Sequence, residues 1–344
     1  MTVTPSLGLR MDVHVGDADD RAALRADVRA GLTSQAKWLP PKWLYDPAGC
    51  VLFDRITEVA EYYPTRCERS ILARHAAAIA RQSHADTLVE LGSGNSDKTW
   101  LLLDALSGTG RLRRFVPFEI SLETLSAGAT AVARAYPGVE VHGVAGDFER
   151  HLARLPPGGR RLVAFLGGTV GNLLPEARAA FLASLADTLS PGDSVLLGTD
   201  LVKDPDRLVA AYDDEAGITG DFNRNLLRRL NRELGADFDL DRFVHVAHWD
   251  PVAEWIEMRL RSCGAQSVIL ADLDMTVDFA DGEELRTEIS AKFRRDGVIA
   301  ELAVAGLDTV GWWTDDDGDY ALSLSTPMRT GPDRPTGGHV DANG

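Results

Sequence analysis

The sequence has few cysteines, no long apolar run and no excess of positive charge. Its three cysteines, Cys50, Cys67 and Cys263, are widely spaced and form no Cys-x-x-Cys pair, which argues against a disulfide framework and against a zinc site. No stretch of 18 apolar residues occurs, and the first 20 residues contain no apolar segment of signal-peptide length. We therefore expect a cytoplasmic protein in a reducing environment that has no membrane partner.

The balance of charge excludes a further class of partner. The chain has 36 basic and 52 acidic residues, a net charge of −16. Nucleic acids and anionic membranes are bound by basic surfaces, so neither is an expected partner, whereas small cationic or zwitterionic substrates remain open. With 344 residues, 44% of them hydrophobic, the chain can form two domains or one large domain with an insertion.

A glycine turn after a short apolar strand is the stretch around which the chain is organised. Residues Thr87 to Leu91 predict a buried strand, and Gly92 and Gly94 follow in a turn where a ligand can approach the backbone closely. An ordinary strand-to-helix turn would give the same short pattern. A nucleotide site is favoured because a second apolar strand ends in Glu119, where an acid can accept the hydroxyls of a ribose.

The turn differs from the two common phosphate-binding loops. Asp97 stands where the dinucleotide fingerprint has its last glycine, and no Gly-x-x-x-x-Gly-Lys motif occurs. A nucleoside without pyrophosphate, such as S-adenosylmethionine, therefore fits better than NAD or ATP. A third strand, Val139 to Val144, leads to Asp147 and Phe148, which could hold and stack on an adenine. This order of elements resembles the class I methyltransferases.

The remaining pattern predicts the architecture. Strands and helices alternate from residue 86 to residue 200, as expected of βαβ units that build a parallel sheet. Beyond Asp200 the pattern changes to longer alternating segments typical of antiparallel strands. The later strands are predicted at Arg161 to Leu166, Ser194 to Gly198, Arg242 to Trp249, Glu254 to Arg261, Ala271 to Phe279, Thr309 to Trp313 and Tyr320 to Leu324.

We thus predict an α/β fold, a class I methyltransferase Rossmann-like parallel sheet with an inserted α+β substrate-binding domain. Residues 20–65 and 203–291 would form the substrate-binding domain, and residues 66–202 and 292–326 the domain that binds S-adenosylmethionine. Residues 1–18 and 327–344 are polar and are predicted to be disordered. The Asp-rich segment Asp315 to Asp319 lacks the calcium-loop pattern, so we predict a solvated hairpin turn and no metal.

Six motifs in one order carry a specific resemblance. They are Pro41-Lys42-Trp43-Leu44-Tyr45-Asp46, Leu52-Phe53-Asp54, Glu61-Tyr62-Tyr63-Pro64-Thr65-Arg66, Leu91-Gly92-Ser93-Gly94, Phe165-Leu166-Gly167-Gly168-Thr169-Val170-Gly171-Asn172 and Gly198-Thr199-Asp200-Leu201-Val202-Lys203-Asp204. Together they resemble the L-histidine Nα-methyltransferases of ergothioneine biosynthesis, from about Leu24 to Leu324. The resemblance implies three methyl transfers from S-adenosylmethionine to the α-amino group of L-histidine, which gives hercynine.

The resemblance also implies the site residues. Those expected at the cofactor are Gly92, Lys98, Glu119, Asp147 and Phe148, to which the turn itself adds Gly94. Those expected at the amino-acid end of histidine are Tyr45, Tyr62, Gly167, Asn172 and Tyr212, of which Tyr45, Asn172 and Tyr212 are the catalytic candidates, and those at the imidazole are Met258, Glu288 and Ser290. Relatives often have Asp at the ribose position, and Glu119 keeps that charge with one more methylene.

The residue types agree with these roles. Asn172 and the tyrosines can orient an amine through neutral hydrogen bonds, while Glu288 and Ser290 can serve the two imidazole nitrogens. No dedicated strong base is evident. By spacing alone, Glu288 and Ser290 could equally lie on a bland exposed edge strand. Two alternatives stay open: the methylation of another amino acid or small amine, and a relative that binds its ligands without turnover. We expect a monomer.

Overall fold

The structure, a computed structural model, describes residues 8–94 and 97–328. Its strands are β1 Leu9–Val13, β2 Thr87–Leu91, β3 Arg114–Glu119, β4 Glu140–Ala145, β5 Arg161–Phe165, β6 Ser194–Asp200, β7 Phe243–Asp250, β8 Trp255–Ser262, β9 Gln266–Leu270, β10 Met275–Phe279, β11 Glu284–Ala291, β12 Leu307–Thr314 and β13 Tyr320–Pro327. Its α-helices are α1 Asp17–Leu32, α2 Pro47–Glu58, α3 Pro64–Ser83, α4 Asp97–Gly108, α5 Leu122–Ala135, α6 Phe148–His151, α7 Pro175–Asp187, α8 Pro205–Tyr212, α9 Ile218–Leu234 and α10 Arg295–Val304.

An eight-stranded sheet forms the centre of the molecule. Its order is β1-β4-β3-β2-β5-β6-β13-β12, parallel from β1 to β6 and antiparallel at β13 and β12. Strands β2, β5 and β6 are buried along their whole length, as their apolar sequences require in a sheet covered on both faces. The predicted α/β class is confirmed.

Both ends of the chain contain more structure than predicted. Strand β1 pairs in parallel with the edge strand β4, and α1 begins at Asp17, so the prediction of disorder for residues 1–18 is wrong from residue 8 onward. Apolar and polar residues alternate in this strand, but five residues are too short a signal to predict a strand from the sequence. Strand β13 runs to Pro327 because Ser325 and its neighbours pair with β12 and β6. Residues 1–7 and 329–344 lie outside the described part of the chain.

The predicted antiparallel insertion is present, but two of its strands were predicted wrongly or missed. Strands β7, β8 and β11 form a three-stranded antiparallel sheet, and β9 and β10 form a hairpin. The predicted strand Ala271 to Phe279 is wrong in its first half, because Ala271–Leu273 is a 3-10 turn and Asp274 takes a left-handed φ of 47°. Strand β9, which precedes this turn, was not predicted.

The buried side chains form separate hydrophobic clusters. One cluster draws its buried members only from residues 24–63 and 208–285, so the N-terminal helices pack on the insertion. The other two lie against the central sheet. The division into two domains at the stated boundaries stays a prediction, which this separation of the cores supports. None of the helices in the described part combines the length and apolar character needed to cross a membrane.

The insertion rejoins the central sheet at the point where it leaves. The Phe293 N–H donates to the carbonyl of Asp200 at 2.8 Å, and the Val202 N–H donates to the carbonyl of Phe293 at 3.0 Å. This junction holds the end of β11 against the carboxyl end of β6. In an open parallel sheet, ligands bind at the carboxyl ends of the strands. The residues of β11 are therefore placed beside the expected crevice.

The Asp-rich segment joins β12 to β13 as the predicted hairpin, in which Asp316 and Asp317 are exposed as predicted but Asp315 and Asp319 are buried. Asp315 and Asp319 are 8% and 4% exposed, and Asp315 accepts backbone N–H groups of Asp319 and Tyr320 at 2.9 and 2.8 Å. Ligand atoms of Cys67, Asp315 and Asp319 lie within 4.8 Å of one another. Burial and the nearby Asp315 raise the pKa of Cys67 to about 12, so without a cation its thiol is protonated, and the absence of a metal stays a prediction.

Candidate active site

The glycine turn after β2 opens onto free space. Gly92 and Gly94 have φ angles of 69° and 44°, and a Cβ at either position would meet nothing within 4 Å. The carboxylate of Glu119, at the end of β3, accepts the Gly94 N–H at 3.0 Å through one oxygen and the N–H of Ile120 at 2.9 Å through the other. The predicted ribose acceptor is therefore fixed against the turn, and the turn leaves room for a nucleoside.

The end of β4 supplies the predicted adenine residues. Asp147 caps the short helix α6 by accepting the Glu149 N–H at 2.9 Å, and the ring of Phe148 packs edge-on against Phe165 at 5.2 Å. A cleft of about 140 Å³ opens beside Asp147. It is lined by His14, Val15, Asp19, Asp20, Ala23, Lys42, Trp43, Ile120, Asp147, Arg150 and His151. The N-terminal segment, predicted to be disordered, thus forms one wall of this cleft.

A buried carboxylate that the sequence did not reveal joins the cofactor side to the substrate side. Glu68 of α3 is 0% exposed and pairs with Lys98. It also accepts the Gly167 N–H at 2.9 Å and the Tyr320 hydroxyl at 2.9 Å. A Cβ at Gly198 would overlap this carboxylate, so glycine is needed there. Two predicted site residues, Lys98 and Gly167, are held by the same anion.

The predicted imidazole residues meet at the junction of insertion and sheet. Glu288 on β11 is paired with Met258 on β8, and its carboxylate accepts the side-chain N–H of Asn172 at 2.7 Å. Asn172 ends the 3-10 turn Thr169–Asn172 that follows β5. Burial raises the pKa of Glu288 to about 7, although Asn172 and the charge of Lys292 oppose that rise. Glu288 is 8% exposed, so it does not lie on a bland solvent-exposed edge.

The three predicted tyrosines surround Glu288. The Tyr212 hydroxyl lies 2.7 Å from the Ser290 Oγ, and the Tyr212 ring lies 6.2 Å from that of Tyr62. Tyr45 packs edge-on against Phe222 at 5.3 Å. Burial raises the pKa of all three phenols well above the ordinary value, and the charge of Glu288 adds to each rise. The tyrosines are therefore neutral hydroxyls at physiological pH, able to donate a hydrogen bond.

A second buried network adjoins this group and was not predicted. Asp200, at the end of β6, accepts from Lys292 at 2.8 Å and from the Tyr63 hydroxyl at 2.9 Å, and it also pairs with Lys203. Burial opposes the charge of Asp200, but the two lysines outweigh it and lower the pKa of the carboxyl. Lys292 continues the alternation of Glu288 and Ser290 by one further step of two residues, a signal that could have found it.

A larger cleft meets this network at Lys292, which is one of its lining residues. It has a volume of about 530 Å³ and contains none of the residues predicted for the site. Its walls include Pro175, Arg178, Trp255, Phe293 and Arg295. The strand-end crevice, where the predicted residues converge, is therefore the candidate site.

Comparison with known proteins decides the family. Residues 24–327 match the sequence model of the S-adenosylmethionine-dependent, histidine-specific methyltransferases. The chain belongs to this family.

Relatives in this methyltransferase family cover almost the whole chain. The chain is 58% identical to the histidine N-alpha-methyltransferase of Mycobacterium tuberculosis over 91% of this chain and 97% of that protein. It is 59% identical to the histidine N-alpha-methyltransferase of Mycolicibacterium smegmatis over 90% of this chain and 96% of that protein. It is 29% identical to the ergothioneine biosynthesis protein 1 of Neurospora crassa over 90% of this chain and 36% of that protein.

Membership of the histidine-specific methyltransferases confirms the predicted family and the predicted cofactor, S-adenosylmethionine. The structure fits that cofactor, because the Gly92 and Gly94 turn opens onto space that a Cβ would fill and Glu119 stands beside it. The roles of individual residues in the site stay predictions. Fourteen were predicted: Gly92, Gly94, Lys98, Glu119, Asp147 and Phe148 for the cofactor, and Tyr45, Tyr62, Gly167, Asn172, Tyr212, Met258, Glu288 and Ser290 for the substrate.

Proposed function

We propose that the protein transfers three methyl groups from S-adenosylmethionine to the α-amino group of L-histidine and forms hercynine, the first step of ergothioneine biosynthesis. The observation that carries the proposal is the buried pair Glu288 and Ser290, two residues apart on β11, with Asn172 bonded to Glu288 and Tyr212 beside Ser290. The relatives that are 58–59% identical are named histidine N-alpha-methyltransferases, which supports the proposal.

In this proposal the protein acts mainly by positioning. The bound cofactor supplies an electrophilic methyl group on a sulfonium. Glu119 and the glycine turn hold the nucleoside, and Glu68 holds Lys98 and the Gly167 N–H beside it. Asn172 and the neutral hydroxyl of Tyr212 orient the amine so that its lone pair faces the methyl group. Holding two reactants in line can supply several kcal/mol of the barrier reduction.

The imidazole is recognised by two buried polar groups, Glu288 and Ser290, which Asn172, Tyr212 and Lys292 hold in place. Glu288 accepts a ring N–H as a carboxylate, which gives a charge-assisted hydrogen bond, and Ser290 serves the second nitrogen. An amino acid without these nitrogens leaves Glu288 buried without a hydrogen-bonding ligand. A site of this kind can reject such analogues by factors of about 10⁴.

Two alternatives make different predictions in one experiment. Purified protein would be incubated with labelled S-adenosylmethionine and each of the twenty amino acids, and the products read by mass. Trimethylated histidine supports the proposal. Methylation of a different amino acid or amine supports another substrate for the same site. Tight binding of the cofactor with no product supports a binding protein without turnover.

We further propose that the protein acts as a monomer in a reducing cytosol. All three cysteines are free, and the net charge of −16 disfavours nucleic acid and anionic membranes as partners. Light scattering coupled to size-exclusion chromatography tests the monomer, and a dimer mass at micromolar concentration would contradict it.

A further inference from the structure

Lys292 is a buried cation whose hydrogen-bond donors are all used. Its side chain is 0% exposed, and its Nζ donates to Asp200 at 2.8 Å and to the Tyr212 hydroxyl and the Ser290 Oγ, both at 2.9 Å. An ammonium group has three donors and no acceptor. The charge is balanced by Asp200, and the other two donors end on hydroxyl oxygens of the predicted substrate site.

These contacts determine what the two hydroxyls can still do. The Tyr212 and Ser290 oxygens are 2.7 Å apart, so one donates to the other. A phenol is the stronger hydrogen-bond donor and an aliphatic hydroxyl the stronger acceptor, which favours Tyr212 as the donor and Ser290 as the acceptor. A serine oxygen has two lone pairs. Lys292 and Tyr212 occupy both of them, and the Ser290 hydrogen is the one polar group that Ser290 can offer to a ligand.

We propose that Lys292 is a positioning residue that fixes Ser290 as a hydrogen-bond donor, so that the site takes the neutral imidazole through its unprotonated nitrogen. The inference rests on the proposed function, in which Glu288 and Ser290 serve the ring. A neutral imidazole has one N–H and one nitrogen lone pair. Glu288 accepts from the first and Ser290 donates to the second. An imidazolium has an N–H on both nitrogens, so one of them would point at the Ser290 hydrogen and the two donors would repel each other.

The surrounding network provides a matched control. Lys203 also pairs with Asp200, and its Nζ donates to the Tyr63 hydroxyl at 2.7 Å, whereas it donates to neither Ser290 nor the hydroxyl of Tyr212. Replacing either lysine leaves Asp200 with one cation. The two variants therefore share the electrostatic change, and they differ in the contact with Ser290.

The test uses histidine and its pyrrole analogue, which keeps a ring N–H and lacks the unprotonated nitrogen. KM and kcat are measured for both, with the cofactor saturating. We expect the wild type to prefer histidine by about 10- to 100-fold, the usual worth of a hydrogen bond to a charged or buried group. Lys292→Met should reduce this preference about tenfold, through a higher KM for histidine. Lys203→Met should keep the wild-type preference.

A double-variant cycle separates this role from a structural one. In a Ser290→Ala background, Lys292→Met should cause little further change in preference, because the group that it orients is already gone. An additive loss would overturn the inference, as would a wild-type preference in Lys292→Met with normal cofactor affinity. If the single variant does not fold, Asp200→Asn with Lys292→Met removes both charges together and is judged by the same ratio. A wild type inert toward histidine overturns the proposed function as well.

Discussion

Replacing Glu288 by glutamine should make the free protein more stable above pH 7. Burial raises the pKa of Glu288 from 4.5 to about 7. Between these values the folded protein keeps a proton that the unfolded chain has released, so stability falls as the pH rises through 7, by about 3 kcal/mol in all. Glutamine has nearly the same shape, carries no charge, and its carbonyl can still accept the Asn172 N–H.

Urea unfolding at pH 8 and pH 5 measures this effect. The free energy of unfolding of Glu288→Gln should exceed that of the wild type by up to about 3 kcal/mol at pH 8, and the difference should shrink toward pH 5. Glu284, on the same strand, is the control. Burial opposes its charge, but Arg259 and Arg261 lower its pKa, so Glu284→Gln should lose stability at both pH values. Equal stability of wild type and Glu288→Gln at pH 8 would refute the reasoning.

The same variant should be a poorer enzyme for histidine. A neutral amide cannot replace the charge-assisted bond to an imidazole N–H, so kcat/KM for histidine should fall about 10- to 100-fold while cofactor affinity is retained. The preference for histidine over phenylalanine should fall with it. Competition between the two amino acids, with the cofactor saturating, reports this directly. If Glu288→Gln keeps the wild-type preference, specificity lies elsewhere in the pocket.

Three further changes address the cofactor side. Gly94→Val should abolish binding of the demethylated cofactor in calorimetry. The φ of 44° at this position disfavours a branched residue, and the valine side chain would occupy the open space that the cofactor needs. Unchanged affinity would mean that the cofactor binds elsewhere. Glu68→Gln leaves Lys98 without its buried partner, and both cofactor affinity and melting temperature should fall. Deleting residues 1–15 removes β1 and a wall of the 140 Å³ cleft, so cofactor affinity should fall. A normal cofactor affinity would show that the N-terminal segment is not part of the site.

The central sheet could be predicted from the sequence because its strands are nearly continuous apolar runs, as β2 and β5 show. A strand that forms only by pairing with a distant part of the chain could not be predicted. Strand β1 is polar at alternate positions and forms because β4 offers a free edge about 130 residues later. The turn at Ala271–Leu273 broke a predicted strand through the conformation of Asp274, which no periodicity reveals.

The residues of the candidate site likewise include some that the sequence predicts and some that it does not. Glu288 and Ser290 could be predicted because they alternate on a strand and match a family motif, and Gly92 because it follows a buried strand. Glu68 lies on the buried side of a helix that precedes the glycine turn in the sequence. It takes part in the site only because folding brings Lys98 and Gly167 next to it. Such a carboxylate has no local sequence signal, since its role exists only after the tertiary structure has formed.

The junction between Asp200 and Phe293 has a consequence for how substrate range can change in evolution. Because the inserted segment leaves and returns at one backbone contact, its length and content can vary with little cost in chain closure to the sheet that holds the cofactor. The insertion does not stand alone, since its core is shared with residues 24–63. A chimera between relatives must therefore exchange both pieces together, as a two-part cassette, if the transplanted pocket is to keep its packing.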